Sequence, residues 1–250
     1  MRSRRSAAWS VAAGLMLFLA LSAYPAAAQD LSISLGEGGS LTARSVQMIL
    51  LITVLSLAPG LAIMVTCFPF IVTVLSILRQ AIGLQQSPPN MLIVTLSLFL
   101  TWFVMEPVFR AAWTAGMEPL IAERIDVWTA AEQALVPFRG FMAARLDADT
   151  FRALAELRPE TAALAPLPEA PLSLLVPSFL LSEIARAFQI GFLIFLPFLV
   201  IDLVVAAILM SMGMMMVPPA IVSLPFKLAF FVVANGWSLV AAALVRGYQP

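Results

Sequence analysis

The sequence predicts an all-α, membrane-type protein: two long, kinked helical hairpins flanking a small helical extracytoplasmic insert. Three observations carry that expectation. Hydrophobic residues fill 62% of the 250 positions against 11% charged, with a mean hydropathy of +0.99, far above the roughly 45–50% apolar share of soluble domains. The charges are segregated, with none in the 34 residues between Arg44 and Arg79 but six arginines and ten acids between Glu106 and Glu169. Prolines interrupt the apolar stretches at Pro59, Pro69 and Pro218-Pro219, where a missing N–H kinks or ends a helix.

Residues 1–28 read as a cleaved signal peptide. Arg2, Arg4 and Arg5 precede a short apolar segment, Val11 to Leu21, and Ala26-Ala27-Ala28 supplies small residues for cleavage. An uncleaved anchor would need about 20 apolar residues. Residues 29–44 are expected to form a short extracytoplasmic N-terminus, and 45–105 the first hairpin. A single helix over the uncharged 34 residues would run about 50 Å, against a hydrocarbon core of about 30 Å, so a bent or interrupted element is expected. Gly83 to Asn90 forms the turn, and Arg79 marks it as cytoplasmic. The apolar run 91–105 stops at Glu106-Pro107, which is short for a full span and suggests packing against protein.

Residues 106–171 are the insert, expected to hold two or three short amphipathic helices. Thr129-Ala130-Ala131-Glu132 has the spacing of a capping box, and Asp149 is placed to cap a helix running to Arg158 before Pro159. Pro166, Pro168 and Pro171 form a stiff linker. Residues 172–250 make the second hairpin, which turns at Met212 to Pro219. Orientation rests on the signal peptide: with the mature N-terminus outside, the first hairpin returns the chain outward and the insert is periplasmic.

Four charges lie in or beside the second apolar half: Glu183, Arg186, Asp202 and Lys227. A charge in hydrocarbon costs roughly 2.5–3.5 kcal/mol on insertion scales, so each needs a partner or a wet cavity. Glu183 and Arg186 share a helical face. Pairing of Glu183 with Lys227, within or between subunits, is the economical arrangement, the alternative being Lys227 reaching to a polar boundary. Asp202 has no basic residue within 15 positions on either side, so its partner comes from another helix or chain, or the carboxyl is neutral. A structural hydrogen bond and a proton relay are its two readings.

Met212, Met214, Met215 and Met216 surround Gly213 and precede Pro218 and Pro219. Gly213 and the two prolines break the helix, and the thioethers are soft and deformable. Ordinary apolar filling at a turn is one reading of these methionines, and a deformable seal is the other. No histidine is present, and neither a phosphate-binding glycine loop nor a metal-spaced cluster of acids occurs in the apolar regions. No catalytic residue, metal or cofactor is therefore expected, and the protein is read as no enzyme. Loss of the leader removes three of the 14 basic residues and leaves 11 against 14 acids, which disfavours nucleic acid as a partner. Cys67, the sole cysteine, lies in an apolar stretch and is read as a buried structural thiol.

The order of motifs in the second half resembles the FliP family of flagellar type III export-gate subunits. The stretches that carry this are Ser182-Glu183, Ala187 to Phe192, Pro197-Phe198-Leu199, Ile201 to Val204, Gly213 to Pro219, and Leu224-Pro225-Phe226-Lys227-Leu228. A weaker match runs from Leu78-Arg79 through Gly83 and Pro88-Pro89-Asn90 to Leu98-Phe99-Leu100-Thr101. The resemblance implies a pentamer joined by FliR-like and FliQ-like subunits, working with FliB-type and FlhA-type export components in the inner membrane within the flagellar basal body. It implies passage of unfolded flagellar export substrates, with Met212, Met214, Met215 and Met216 as the gate. Members look like four-span proteins by hydropathy, yet their assembly is held largely above the bilayer plane. The rival assignments are the equivalent subunit of a virulence injectisome and, from another class, an independent small-molecule or ion transporter. The latter would be expected to show internal repeats, and the two hairpins share no evident similarity.

Overall fold

The computed structural model describes residues 41–84, 87–165 and 168–248. The signal peptide expected over 1–28, and most of the N-terminus expected over 29–44, lie outside the described residues. Two compact units divide the chain after Ile52. Of the first, the described part is the helical stretch from Leu41, whose apolar side chains such as Val46 and Leu50 are exposed. The second unit holds all the packing that follows.

Every described element is helical. Helix α1 runs Leu41–Met64 and α2 Phe68–Ile82. The interruption expected in this apolar stretch falls between them, beside Pro69, and α1 continues through positions 59 and 60. Thr66 closes both sides of the gap: its hydroxyl donates to the Ile63 carbonyl at 2.9 Å and accepts from the Phe68 N–H at 3.4 Å. Pro69 sits in the first turn of α2, where a helix needs no N–H from it.

Helix α2 is the centre of the main core. Phe70, Ile71, Val74, Leu75, Leu78, Ala81 and Ile82 are all buried, three or four residues apart along one broad face. Each large one removed from water contributes about 1.5–3 kcal/mol. Around α2 stand α3 (Asn90–Ala112), α7 (Leu172–Ser211), α8 (Pro219–Val233) and α9 (Gly236–Arg246), which supply Ile93 and Met105, Ala187 and Phe198, Phe231, and Val240 and Leu244 to the same core. The α2–α3 turn begins at Gly83, whose φ of +90° is the left-handed cap that glycine takes without strain. Arg79 closes the turn by donating to the Asn90 side-chain oxygen.

The apolar run 91–105 lies in a helix that continues beyond it. Helix α3 passes through Glu106 and Pro107 to Ala112, turns through a π-helical segment, Trp113–Met117, and ends with the short α4, Glu118–Ile121. Its buried positions Ile93, Ser97, Thr101 and Met105 recur every fourth residue, so packing holds the helix past a proline that would end an isolated one. At Gly116 a Cβ would lie 2.5 Å from the Ala130 carbonyl oxygen, so only glycine permits the π segment to approach the next helix, Val127–Arg145, this closely.

Helix α5 (Val127–Arg145) is capped by Asp126, whose carboxylate accepts from the N–H groups of Trp128 and Thr129 and from the Thr129 hydroxyl. The capping box expected to start at Thr129 is therefore corrected: Thr129 already lies inside the helix. Helix α6 (Ala148–Ala155) is capped by Asp147, which accepts from the Thr150 N–H at 2.8 Å. Asp149 sits in its first turn instead, paired with Arg152 at 3.1 Å, and the helix ends before Arg158. The expected proline linker is pinned, since Arg139 donates to the carbonyls of Pro168 and Ala170 at 3.0 and 2.9 Å.

Helix α7 has 40 residues, about 60 Å at 1.5 Å each. The return arm of its hairpin is broken: α8 and α9 meet at 61°, where Asn235 takes a φ of +50°. Three described helical stretches are long and apolar enough to cross a membrane, or four if the bent pair is one span.

Candidate gate loop and buried charge sites

The α7–α8 loop is built by its glycine and prolines. Gly213, with a φ of +76°, donates its N–H to the Met210 carbonyl, and the Met214 N–H reaches back to Leu209, each at 3.0 Å. This is the Schellman pattern of helix termination, in which the residue after the cap is left-handed. Pro218 then caps α8 and Pro219 opens it. The loop holds Met212, Met214, Met215 and Met216 outward, Met215 at 84% and Met216 at 98% exposure. Interior filling is thus not what these methionines do within the chain.

The four charges form two separate sites. In the first, Lys227 on α8 donates to Asp202 on α7 at 2.6 Å and to the Ala81 carbonyl, at the end of α2, at 3.2 Å. Ser223, one turn before Lys227, donates to the other Asp202 oxygen at 2.5 Å. Lys227 is only 5% exposed. Its ammonium stands beside Gly83, at the negative end of the α2 dipole, where a cation is favoured. One ammonium therefore joins three helices.

The second site is Glu183, fully buried. One of its oxygens accepts from Arg145 at 3.2 Å and from Arg186 at 3.3 Å, and the other accepts from the Tyr248 hydroxyl. Burial and the Glu183 charge beside it push the Tyr248 hydroxyl far above the ordinary phenol range. One residue earlier, Ser182 accepts from the Asp147 N–H at 3.0 Å, so the α5–α6 joint docks on α7 at two consecutive positions.

The pairing expected of Glu183 with Lys227 is therefore not made within the chain. Asp202 lies 19 residues beyond Glu183 on α7, about 28 Å at 1.5 Å per residue, and Lys227 sits at the Asp202 level. Arg186 does share the Glu183 site. Ser223, Arg145, Tyr248 and Ala81 were not singled out from the sequence. Ser223 was within reach of such reasoning, as the polar residue one helical turn from Lys227. Arg145 and Tyr248 reach Glu183 from 38 and 65 residues away, and no local pattern marks them. Among the described residues no group of three or more His, Cys, Asp or Glu side chains could hold a metal ion.

Comparison with known proteins finds one family model, described as the FliP family, matching residues 51–244. A protein of Caulobacter vibrioides named Flagellar biosynthetic protein FliP is 50% identical over 253 residues, covering 98% of this chain and 92% of that protein. Proteins of the same name from Bacillus subtilis and Aquifex aeolicus are 43% and 42% identical. They cover 82% and 88% of this chain, and 92% and 91% of their own length.

Proposed function

This chain belongs to the FliP family, and on that premise we propose that it is a core export-gate subunit of the flagellar type III secretion apparatus. It passes unfolded flagellar proteins across the inner membrane, with the insert in the periplasm. Copies of the chain, five by the family resemblance, assemble with FliR-like and FliQ-like subunits. Export components of the FliB and FlhA types, as named above, act beside them. The relatives' shared name, Flagellar biosynthetic protein FliP, supports the flagellar assignment over an injectisome.

The observation that carries the gate reading is the loop of four outward methionines closed by Gly213, Pro218 and Pro219. A lone chain gains nothing by holding Met215 and Met216 in water. Brought together by symmetry, the same side chains make an apolar constriction. Thioethers have three rotatable bonds and no fixed shape, so such a constriction yields to a passing polypeptide without selecting its sequence and closes behind it. Asp202, Lys227 and Ser223 hold the two arms of the hairpin in register below the loop. Catalysis plays no part in this scheme.

Two measurements test it. Native mass spectrometry of the detergent-extracted complex, after co-expression with candidate FliQ-like and FliR-like proteins, should show several copies of this chain retaining both partners. A persistent monomer that ignores them would overturn the assignment and favour an independent transporter. In assembled complexes, replacing Met214, Met215 and Met216 with alanine should let small solutes leak across the membrane. Unchanged permeability would remove the gate role from the loop.

A further inference from the structure

We propose that Tyr248 is a latch that keys the end of the C-terminal hairpin to the insert through the buried carboxylate of Glu183. The inference rests on the geometry of one chain and does not depend on the export reading.

Glu183 is fully buried, so each of its oxygens needs a donor. Arg145 and Arg186 share one oxygen, and Tyr248 supplies the hydrogen bond to the other. The tyrosine ring is held on three sides. Phe70 of α2 meets it edge-on at 5.5 Å, Phe141 of α5 stacks on it at 6.0 Å, and the Arg145 guanidinium lies 4.0 Å from its centroid. Arg145 also donates to the carbonyl of Gly247 at 2.8 Å. The last residue of an insert helix therefore grips both the backbone and the ring of the tail, while the hydroxyl of that ring grips α7.

Three helices, α2, α5 and α7, converge on the Tyr248 side chain, and α7 engages it through a hydroxyl that an apolar residue would lack. A phenylalanine here would keep the ring contacts and lose the hydroxyl. That loss leaves one oxygen of a buried carboxylate without its donor, which is costlier than losing an exposed hydrogen bond. The latch is directional as well: Phe70 and Phe141 fix the plane of the ring, and so fix where the hydroxyl points.

The test uses the full, detergent-extracted chain. Hydrogen exchange from the end of α9 into the tail, Leu244 to Tyr248, should speed up about tenfold in Tyr248→Phe, the size expected for one hydrogen bond to a charged acceptor. In a Glu183→Gln background the same substitution should change exchange less than threefold, because the acceptor it engages is already altered. Equal exchange in the native chain and Tyr248→Phe, or full additivity with Glu183→Gln, would overturn the latch. A second measurement needs no substitution. Tetranitromethane nitrates accessible phenolates, so Tyr248 in the native chain should stay unlabelled while the unfolded chain is labelled at that position. Labelling of native Tyr248 at the unfolded rate would also overturn it.

Discussion

Replacing Lys227 with methionine preserves the length of the side chain and removes its ammonium, and the structure fixes what is lost. Asp202 keeps the Ser223 hydroxyl but loses its counter-charge at 2.6 Å. The Ala81 carbonyl, at the end of α2, loses a donor at 3.2 Å. Breaking a buried ion pair by removing one partner costs about 3–5 kcal/mol. The Asp202 side chain is 31% exposed, which allows some rehydration and points to the lower end, about 3 kcal/mol. That is a little over a hundredfold in the folding equilibrium, at about 1.4 kcal/mol per factor of ten.

The assay is denaturant unfolding of the detergent-solubilised chain, followed by circular dichroism, across two double-mutant cycles. Lys227→Met combined with Asp202→Asn should be strongly non-additive, with a coupling of about 1–3 kcal/mol, as for residues in contact. Lys227→Met combined with Glu183→Gln should add to within about 0.5 kcal/mol, because sites so far apart share no partner. The refuting result is the reverse pattern. Coupling of Lys227 to Glu183 without coupling to Asp202 would mean that the intrachain pair is not the one holding the hairpin, and that the pairing suggested by the sequence forms between copies instead.

Other consequences can be checked separately. Gly116→Ala places a Cβ 2.5 Å from a backbone oxygen of α5 and should destabilise by about 1–3 kcal/mol, as overpacking does. Gly60→Ala, with nothing within 4 Å, should instead stabilise by about 0.5–1 kcal/mol through helix propensity, and thermal unfolding compares the signs directly. Gly213→Ala forces a side chain to a φ of +76° and should cost about 1–2 kcal/mol, read as a lowered unfolding midpoint with no change in α7 helicity. The Thr129 hydroxyl, with the helix N–H groups behind it, holds the Asp126 carboxyl below its ordinary value of 3.8, and the Thr150 N–H and hydroxyl do the same for Asp147. Their stabilisation is fully present above that value and is lost as pH falls through the lowered folded values. An acid titration of the insert's helicity should therefore show a loss below about pH 3.8 that is reduced in the Asp126→Asn, Asp147→Asn double variant.

Helical class, the proline-marked break before α2 and the loop at Met212 to Pro219 were legible because each depends on residues close together in sequence. The same local logic failed at Pro107. A proline after a glutamate reads as a helix end, but the four-residue spacing of Ile93, Ser97, Thr101 and Met105 packs α3 against the rest of the unit and carries it through. Thr129 and Asp149 misled in a smaller way, because Asp126 and Asp147, each a few positions earlier, are equally good caps and already have the extended backbone a cap needs. The charge sites show where sequence reasoning stops. That Asp202 and Glu183 need partners follows from the cost of burying charge. Which partner each takes depends on how far along α7 each sits relative to α5, α8 and the tail, and this is set by packing of the whole second unit.

The length of α7 bears on the assembly more than any single side chain. Its exposed apolar residues extend from Leu181 to Met210, 29 residues apart and so about 44 Å along the axis. Hydrocarbon about 30 Å thick cannot cover them if the helix stands upright. At a tilt of about 40°, the upper end for membrane helices, the stretch still projects about 34 Å. Beyond that thickness the surface meets headgroups, water or other protein. The end nearer Glu183 already meets the α5–α6 joint of the insert through Ser182 and Glu183, whereas the other end runs into the exposed methionine loop. Protein supplied by neighbouring copies would cover that end and gather the loops in the same step, so covering the excess helix and forming the constriction are one requirement. Labelling of single cysteines placed at Leu203 and Ile208 in a Cys67→Ser background should then be strong in the isolated chain and suppressed in the assembled complex. Equal labelling in both states would separate the helix surface from the assembly.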